Sequence, residues 1–133
     1  EGQARRGKKG RGGDGMRWSE NRPTDEYLGV NKVGSVKRAG TLAGAINLPG
    51  RWMTVNDGGK FRSSDVHKRL YAARKAPTDG NTITFCNTGH WSSLGWFVNS
   101  ELLGNSKTKL YDGSLADWSR DAANPMQRRL NLD

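Results

Sequence analysis

Thr82-Ile83-Thr84-Phe85-Cys86-Asn87-Thr88-Gly89-His90-Trp91-Ser92-Ser93-Leu94 is the stretch that decides the fold. Its first four residues are β-branched or aromatic and read as a strand. Cys86 to Trp91 then form a tight polar segment. Beyond it, Leu94, Phe97, Val98 and Leu102 recur at helical spacing, which predicts a helix over about 92–103 with Gly104 as its stop. Strand, short loop and helix in that order place Cys86 at the carboxyl edge of a sheet, where open α/β sheets bind their ligands.

The same alternation extends in both directions. Downstream, Lys109-Leu110-Tyr111 reads as a strand, Asp112-Gly113 as a turn, and Ser114 as the cap of a short helix running to Trp118. Upstream, Ala45-Ile46-Asn47-Leu48 reads as a short strand halted by Pro49-Gly50. Residues 50–62 form a polar loop. Ser63 and Ser64 are cap candidates for a helix over 64–75, with Val66, Leu70 and Ala73 on one face and Tyr71 beside them. Arg22-Pro23-Thr24 leads into a short helix at Asp25-Glu26-Tyr27-Leu28, capped by Thr24, its acidic residues suiting the positive end of the helix dipole. Strands alternating with helices predict an α/β layer structure around a mostly parallel sheet. From Asn124 onward no pattern is evident.

The 133 residues suffice for one compact domain. Hydrophobic residues make up only 33% and Gly is abundant at 18, as expected if part of the chain is unpacked. The net charge is +9, and residues 1–18 concentrate it: Arg5, Arg6, Lys8, Lys9, Arg11 and Arg17 stand against Glu1 and Asp14. Residues 1–15 hold no aromatic or branched aliphatic residue, so they read as a disordered basic tail ahead of a domain over 16–133. With no aromatic side chains between the charges to stack on bases, nucleic acid is not an expected partner. No run of 18 apolar residues is present, so no membrane span is expected. The chain opens on no signal-peptide pattern, which leaves periplasm and cytoplasm both open.

Cys86 is the only cysteine, which excludes an intramolecular disulfide and a multi-cysteine metal site. It leaves an inert core residue, a redox sensor or a nucleophile. The neighbours favour the nucleophile. The loop and the following helix start point unpaired backbone N–H groups back at the sulfur, where they stabilise an anion. Gly89 lets the loop curl so that these donors converge. His90 can add a donor or a pH-dependent charge, or simply cap the loop. Trp91 either walls the site or packs on the sheet edge. Ser92 and Ser93 are first helix caps and second candidates for contacting the sulfur. Glu20 and Arg22 read as a structural ion pair. Cys86 and His90, four residues apart, do not make a metal site alone, so neither metal nor cofactor is expected.

Phe85-Cys86-Asn87-Thr88-Gly89-His90-Trp91-Ser92-Ser93 resembles the active-site loop of rhodanese-like sulfurtransferases. Leu110-Tyr111-Asp112-Gly113-Ser114-Leu115-Ala116-Asp117-Trp118 is similar to that family's strand–turn–helix after the catalytic helix. Gly40-Thr41-Leu42-Ala43-Gly44-Ala45-Ile46-Asn47-Leu48 is similar to its segment leading into a central strand, and Arg22-Pro23-Thr24-Asp25-Glu26-Tyr27-Leu28 to its first signature. The matches run in order over about residues 20–120. The resemblance implies an α/β fold with a five-stranded central sheet. It implies that Cys86 becomes a persulfide by taking sulfur from a small anionic donor such as thiosulfate, then passes it to cyanide or a thiol. It implies that backbone N–H groups of Asn87, Thr88, Gly89, His90 and Trp91 bind the substrate sulfur.

The departures are specific. Trp91 replaces the smaller or basic residue often found at the loop's sixth position, and His90 is the loop's one potential cation. Thr41 replaces a His, Ala43 a position that is sometimes basic, and Glu20 the usual Asp. Met16-Arg17-Trp18-Ser19 is too polar for the family's buried opening strand, so the fold is expected to be truncated, completed by another chain or rearranged there. A phosphatase or arsenate reductase of related architecture would need a guanidinium beside Cys86, and none is near in sequence. A binding module, or a persulfide carrier whose basic residues 32–38 dock an acidic protein, stays open as the alternative.

Overall fold

The computed structural model describes residues 15–132. The expected disordered tail falls almost wholly outside these residues. The chain forms β1 (Arg17–Glu20), α1 (Thr24–Leu28), β2 (Ile46–Asn47), α2 (Ser64–Arg74), β3 (Thr82–Phe85), α3 (His90–Trp96), β4 (Thr108–Leu110) and α4 (Ser114–Trp118). Tight 3-10 turns at Gly50–Met53 and Val55–Asp57 occupy the loop before α2. Past Trp96, α3 widens into a π-type turn over Phe97–Leu102. All strand pairings are parallel, in the order β2-β1-β3-β4. The fold is therefore the α/β layer structure expected, with four strands among the described residues.

β3 lies inside the sheet and is buried throughout, which explains its β-branched and aromatic composition. On one side, Trp18, Val36, Leu42, Ile83, Phe85, Leu115 and Trp118 form the main core, with the Trp18 ring set edge-on to Phe85 and Trp118. A second cluster joins Leu48, Met53, Tyr71 and Val98.

β1 corrects the sequence reading, since residues 17–20 are not too polar to make a buried strand. The strand pairs with β2 and β3, aligning Trp18 with Ile83 and Glu20 with Phe85. Its polar residues are each accommodated. Arg17 extends into solvent and pairs with Asp79 at 3.2 Å, and Ser19 is small. Glu20 is fully buried with Arg22, whose Nη2 donates to Oε2 at 2.8 Å while its backbone N–H donates to Oε1 at 3.0 Å. Arg22 Nη2 also donates to the Gly40 carbonyl at 2.6 Å. The structural ion pair expected from sequence is present.

Other local expectations shift. Thr24 does not cap α1; its hydroxyl donates to Asn47 Oδ1 at 2.9 Å, tying the helix to β2. Ser63 does cap α2, accepting from the Val66 N–H. That helix buries His67 and Tyr71, not Val66, Leu70 and Ala73, of which Ala73 is exposed. The inward stripe is rotated because Phe61 packs on the His67 ring and the Arg74 guanidinium lies over Trp52. The patternless segment after Asn124 is also fastened: Thr41 and Gln127 exchange both backbone hydrogen bonds, and the Leu130 N–H donates to the Leu28 carbonyl.

Two tests follow from this packing. Arg22→Met leaves the Glu20 carboxylate buried without its partner, and is expected to lower stability in urea denaturation by about 3–5 kcal/mol. Burial, with Arg62 nearby as the lesser cause, lowers the His67 pKa below its ordinary value. The unfolded chain therefore takes up a proton near pH 6.5 that the folded chain refuses, so stability is full above that pH and falls as pH drops below it. A His67→Phe variant, which keeps the ring, is expected to flatten the decline in urea midpoint between pH 7.5 and 5.5.

Candidate active site

Cys86 follows β3 directly and stands at the carboxyl edge of the sheet, buried to 1% exposure. Leaving the ladder, its backbone groups find partners on α4. Its N–H donates to Ser114 Oγ at 3.0 Å, and its carbonyl accepts the Leu115 N–H at 3.0 Å. The next carbonyl, of Asn87, accepts the Ala116 N–H at 2.9 Å. The start of α4 thus draws two loop carbonyls to itself, and the sulfur faces donors instead.

The Gly89 N–H donates to Cys86 Sγ at 3.1 Å, and Ser92 Oγ lies 3.3 Å from the same atom. Gly89 holds φ at +101°, and a Cβ there would stand 2.7 Å from the Asp112 carbonyl oxygen. Only glycine fits this curl. The Gly89 carbonyl accepts both the N–H and the hydroxyl of Ser93, at 3.0 and 2.7 Å, which fixes the loop onto the first turn of α3. Asn87 is buried, and its side-chain amide donates to Glu26 Oε1 of α1 at 2.7 Å. Thr88 and His90 are exposed. Trp91 packs on the turn at Gly50, where a Cβ would meet its ring at 3.0 Å.

Of the residues singled out in the sequence, the structure gathers Cys86, Gly89 and Ser92 around the sulfur. Ser92, read first as a cap, makes the sulfur contact, whereas Ser93 binds the loop backbone. Ser114 does not cap α4; its hydroxyl donates to the Tyr111 carbonyl and accepts from Cys86. Glu26, Asp112 and the amides of Leu115 and Ala116 were not found in the sequence as loop partners. The run Asp112-Gly113-Ser114 was the one signal pointing to three of them.

The arrangement is a sulfur at a sheet edge, held by an N–H and a hydroxyl that suit a thiolate or a bound sulfane sulfur. The Rhodanese-like domain family model matches residues 8–121. A "Putative thiosulfate sulfurtransferase" of Haloferax volcanii is 38% identical over 71% of this chain and 32% of its own length. The sulfur carrier protein TtuD of Thermus thermophilus is 35% identical over 68% of this chain and 32% of its own. The chain spans about a third of the length of these curated relatives. Among solved structures, the anaerobic ergothioneine biosynthesis enzyme of Chlorobium limicola superposes with a TM-score of 0.79. It shares 23% identity, over 98% of this chain and 31% of that one, a likeness of fold.

Gly89→Ala is expected to displace the N–H from the sulfur, because the new Cβ meets backbone that cannot yield. The rate of alkylation of Cys86 by iodoacetamide at neutral pH should change at least about fivefold, with stability lowered by about 1–3 kcal/mol.

Proposed function

The chain belongs to the rhodanese-like family, and from that membership we propose that it is a sulfurtransferase acting through a persulfide on Cys86. Family membership and the sulfurtransferase names of relatives support sulfur transfer in general. The single observation that carries the finer reading is the pair of polar groups on Cys86 Sγ, the Gly89 N–H donating at 3.1 Å and the Ser92 hydroxyl in hydrogen-bond contact at 3.3 Å.

In the first half-reaction the Cys86 thiolate attacks the sulfane sulfur of a donor. The donor's sulfur bond breaks, and its electron pair leaves with the departing group. Cys86 then carries one extra sulfur. In the second half-reaction a thiol or cyanide attacks that outer sulfur and restores the thiolate. The loop amides of residues 87–91 and the Ser92 hydroxyl stabilise the negative charge that shifts between the two sulfurs. Burial of Sγ keeps the persulfide from solvent between the steps. No cofactor enters this scheme.

A second reading, a persulfide carrier serving a protein partner, is favoured by the relative named a sulfur carrier. The two differ in the acceptor and share the loaded cysteine.

The test is to incubate the chain with thiosulfate, mercaptopyruvate and 2-hydroxyethyl persulfide in turn. Intact mass and cyanide-releasable sulfur are then measured. The expected outcome is one added sulfur with at least one donor, lost completely in Cys86→Ser. A chain that takes up no sulfur from any of the three would refute the enzyme and the carrier alike, leaving a binding module.

A further inference from the structure

Resting on the sulfur-transfer reading, we infer that the surface built by residues 50–62, α2 and the turn at Phe97 docks an acidic protein, whose thiol takes the sulfur from Cys86.

The charge of the chain is unevenly placed. Residues 50–75 carry seven Lys and Arg side chains against Asp57 and Asp65, whereas residues 76–127, which hold the cysteine loop, carry three against five acidic ones. The basic segment begins at the same sheet edge as Cys86. Gly50 lies just past β2, donates its N–H to the Asn21 carbonyl at 2.9 Å, and packs so closely on Trp91 that a Cβ would stand 3.0 Å from the ring. Trp91 ends the cysteine loop, so a protein seated on this segment lies beside that loop.

From Gly50 an apolar surface runs outward. Trp52 is 36% exposed, Val55 39% and Phe97 37%, and the Phe97 ring centroid lies 5.3 Å from that of Phe61. Cations are set among these side chains. The Arg74 guanidinium lies over the Trp52 ring at 5.4 Å, and Arg62 Nε donates to the Trp52 carbonyl at 2.6 Å. Among the described residues neither guanidinium has a carboxylate partner. In the basic segment 32–38, by contrast, Arg38 commits its guanidinium to the Ser119 and Asp121 carbonyls.

Exposed aromatic rings interleaved with Arg and bordered by Lys have the make-up of a protein interface. There Trp and Arg supply most of the binding energy, and the charged rim selects the sign of the partner. The sign here is positive, so the partner is acidic. Nucleic acid fits less well, because bases stack on open ring faces. Arg74 covers one face of Trp52, and the Phe61 and Phe97 rings lean on each other at 35°. In the transfer step the partner's thiolate attacks the outer sulfur of Cys86–S–S–H. The bond between the two sulfurs breaks, and Cys86 keeps its electron pair as a thiolate. The partner then holds the persulfide and its proton, and no oxidant or reductant is needed.

The experiment follows the discharge of sulfur-loaded Cys86 by intact mass. Two synthetic peptides serve as acceptors, each with one cysteine, and alike except that the glutamates of one are glutamines in the other. Dithiothreitol is the small acceptor that needs no docking. At low salt the parent chain should pass its sulfur to the glutamate peptide about tenfold faster than to the glutamine peptide, an advantage that about 0.5 M salt removes. In the double variant Lys60→Gln, Arg62→Gln the advantage should fall to about threefold, and Trp52→Ala should slow both peptides about threefold. Discharge by dithiothreitol should stay unchanged in these variants. Lys107 precedes β4 at the opposite, amino edge of the sheet, and Lys107→Gln should keep the full advantage. Equal rates with the two peptides overturn the inference while sulfur transfer stands. So does an advantage that the double variant keeps, or that Lys107→Gln lowers as much, since the attraction then belongs to the net charge of the chain. A single-stranded RNA oligonucleotide that binds the parent more tightly than the glutamate peptide, and loses that binding in the double variant, assigns the face to nucleic acid and overturns it as well. A chain on which Cys86 loads no sulfur from thiosulfate, mercaptopyruvate or 2-hydroxyethyl persulfide removes the sulfur-transfer reading itself, and the inference with it.

Discussion

Both backbone polar groups of Cys86 are committed to the first residues of α4, and the rest of the site hangs on that commitment. A strand that ends inside a parallel sheet leaves amide and carbonyl groups without ladder partners, and burying them unpaired is costly. Ser114 Oγ takes the N–H and the Leu115 N–H takes the carbonyl. Ser114 holds φ at +52°, a conformation unfavourable for a residue with a side chain. Its hydroxyl is bonded on both sides, to the Tyr111 carbonyl and to the Cys86 amide, and this offsets the backbone strain. The turn after β4 thereby sets how the loop after β3 leaves the sheet. Once Cys86 is anchored this way, Gly89 must curl back for its N–H to reach the sulfur, and Ser92 comes to the same atom from the first turn of α3.

What was legible in the sequence was whatever is local. Thr82–Phe85 reads as a strand because its residues favour one in any buried setting, and Ser63 reads as a cap because its acceptor lies three residues away. β1 was missed because its polarity is resolved at a distance. Arg17 is acceptable at the strand's start because it reaches Asp79, 62 residues on, and Ser19 because it is small enough to lie between β2 and β3. Thr24 and Ser114 have the composition of caps, but tertiary partners at Asn47 and Cys86 outcompete the helix amides for their hydroxyls. The segment after Asn124 has no pattern of its own because its fastening is backbone to backbone, across to Thr41 and Leu28.

The candidate site divides along the same line. The loop itself, Cys86 to Trp91, is one contiguous stretch and was legible; its surroundings come from α1, α4 and the turn after β4. Read as a string, the loop is uncharged apart from His90. Folded, it bonds a carboxylate through the Asn87 amide, and Asp112 stands where a Cβ on Gly89 would have to go. Neither contact has a signature at the loop, since the side chains lie 61 residues before Asn87 and 23 after Gly89 in the chain.

The overall charge and the local charge point in opposite directions, and distance decides which governs the chemistry. A chain of net charge +9 draws anions towards its surface and raises their encounter rate. That attraction acts through water and decays over a screening length of about 8 Å at physiological salt. Groups packed against the loop, such as the half-buried Glu26 that accepts from the Asn87 amide, act within that length. At the buried sulfur, the neighbours that donate to it and brace its loop therefore weigh more than the composition of the chain.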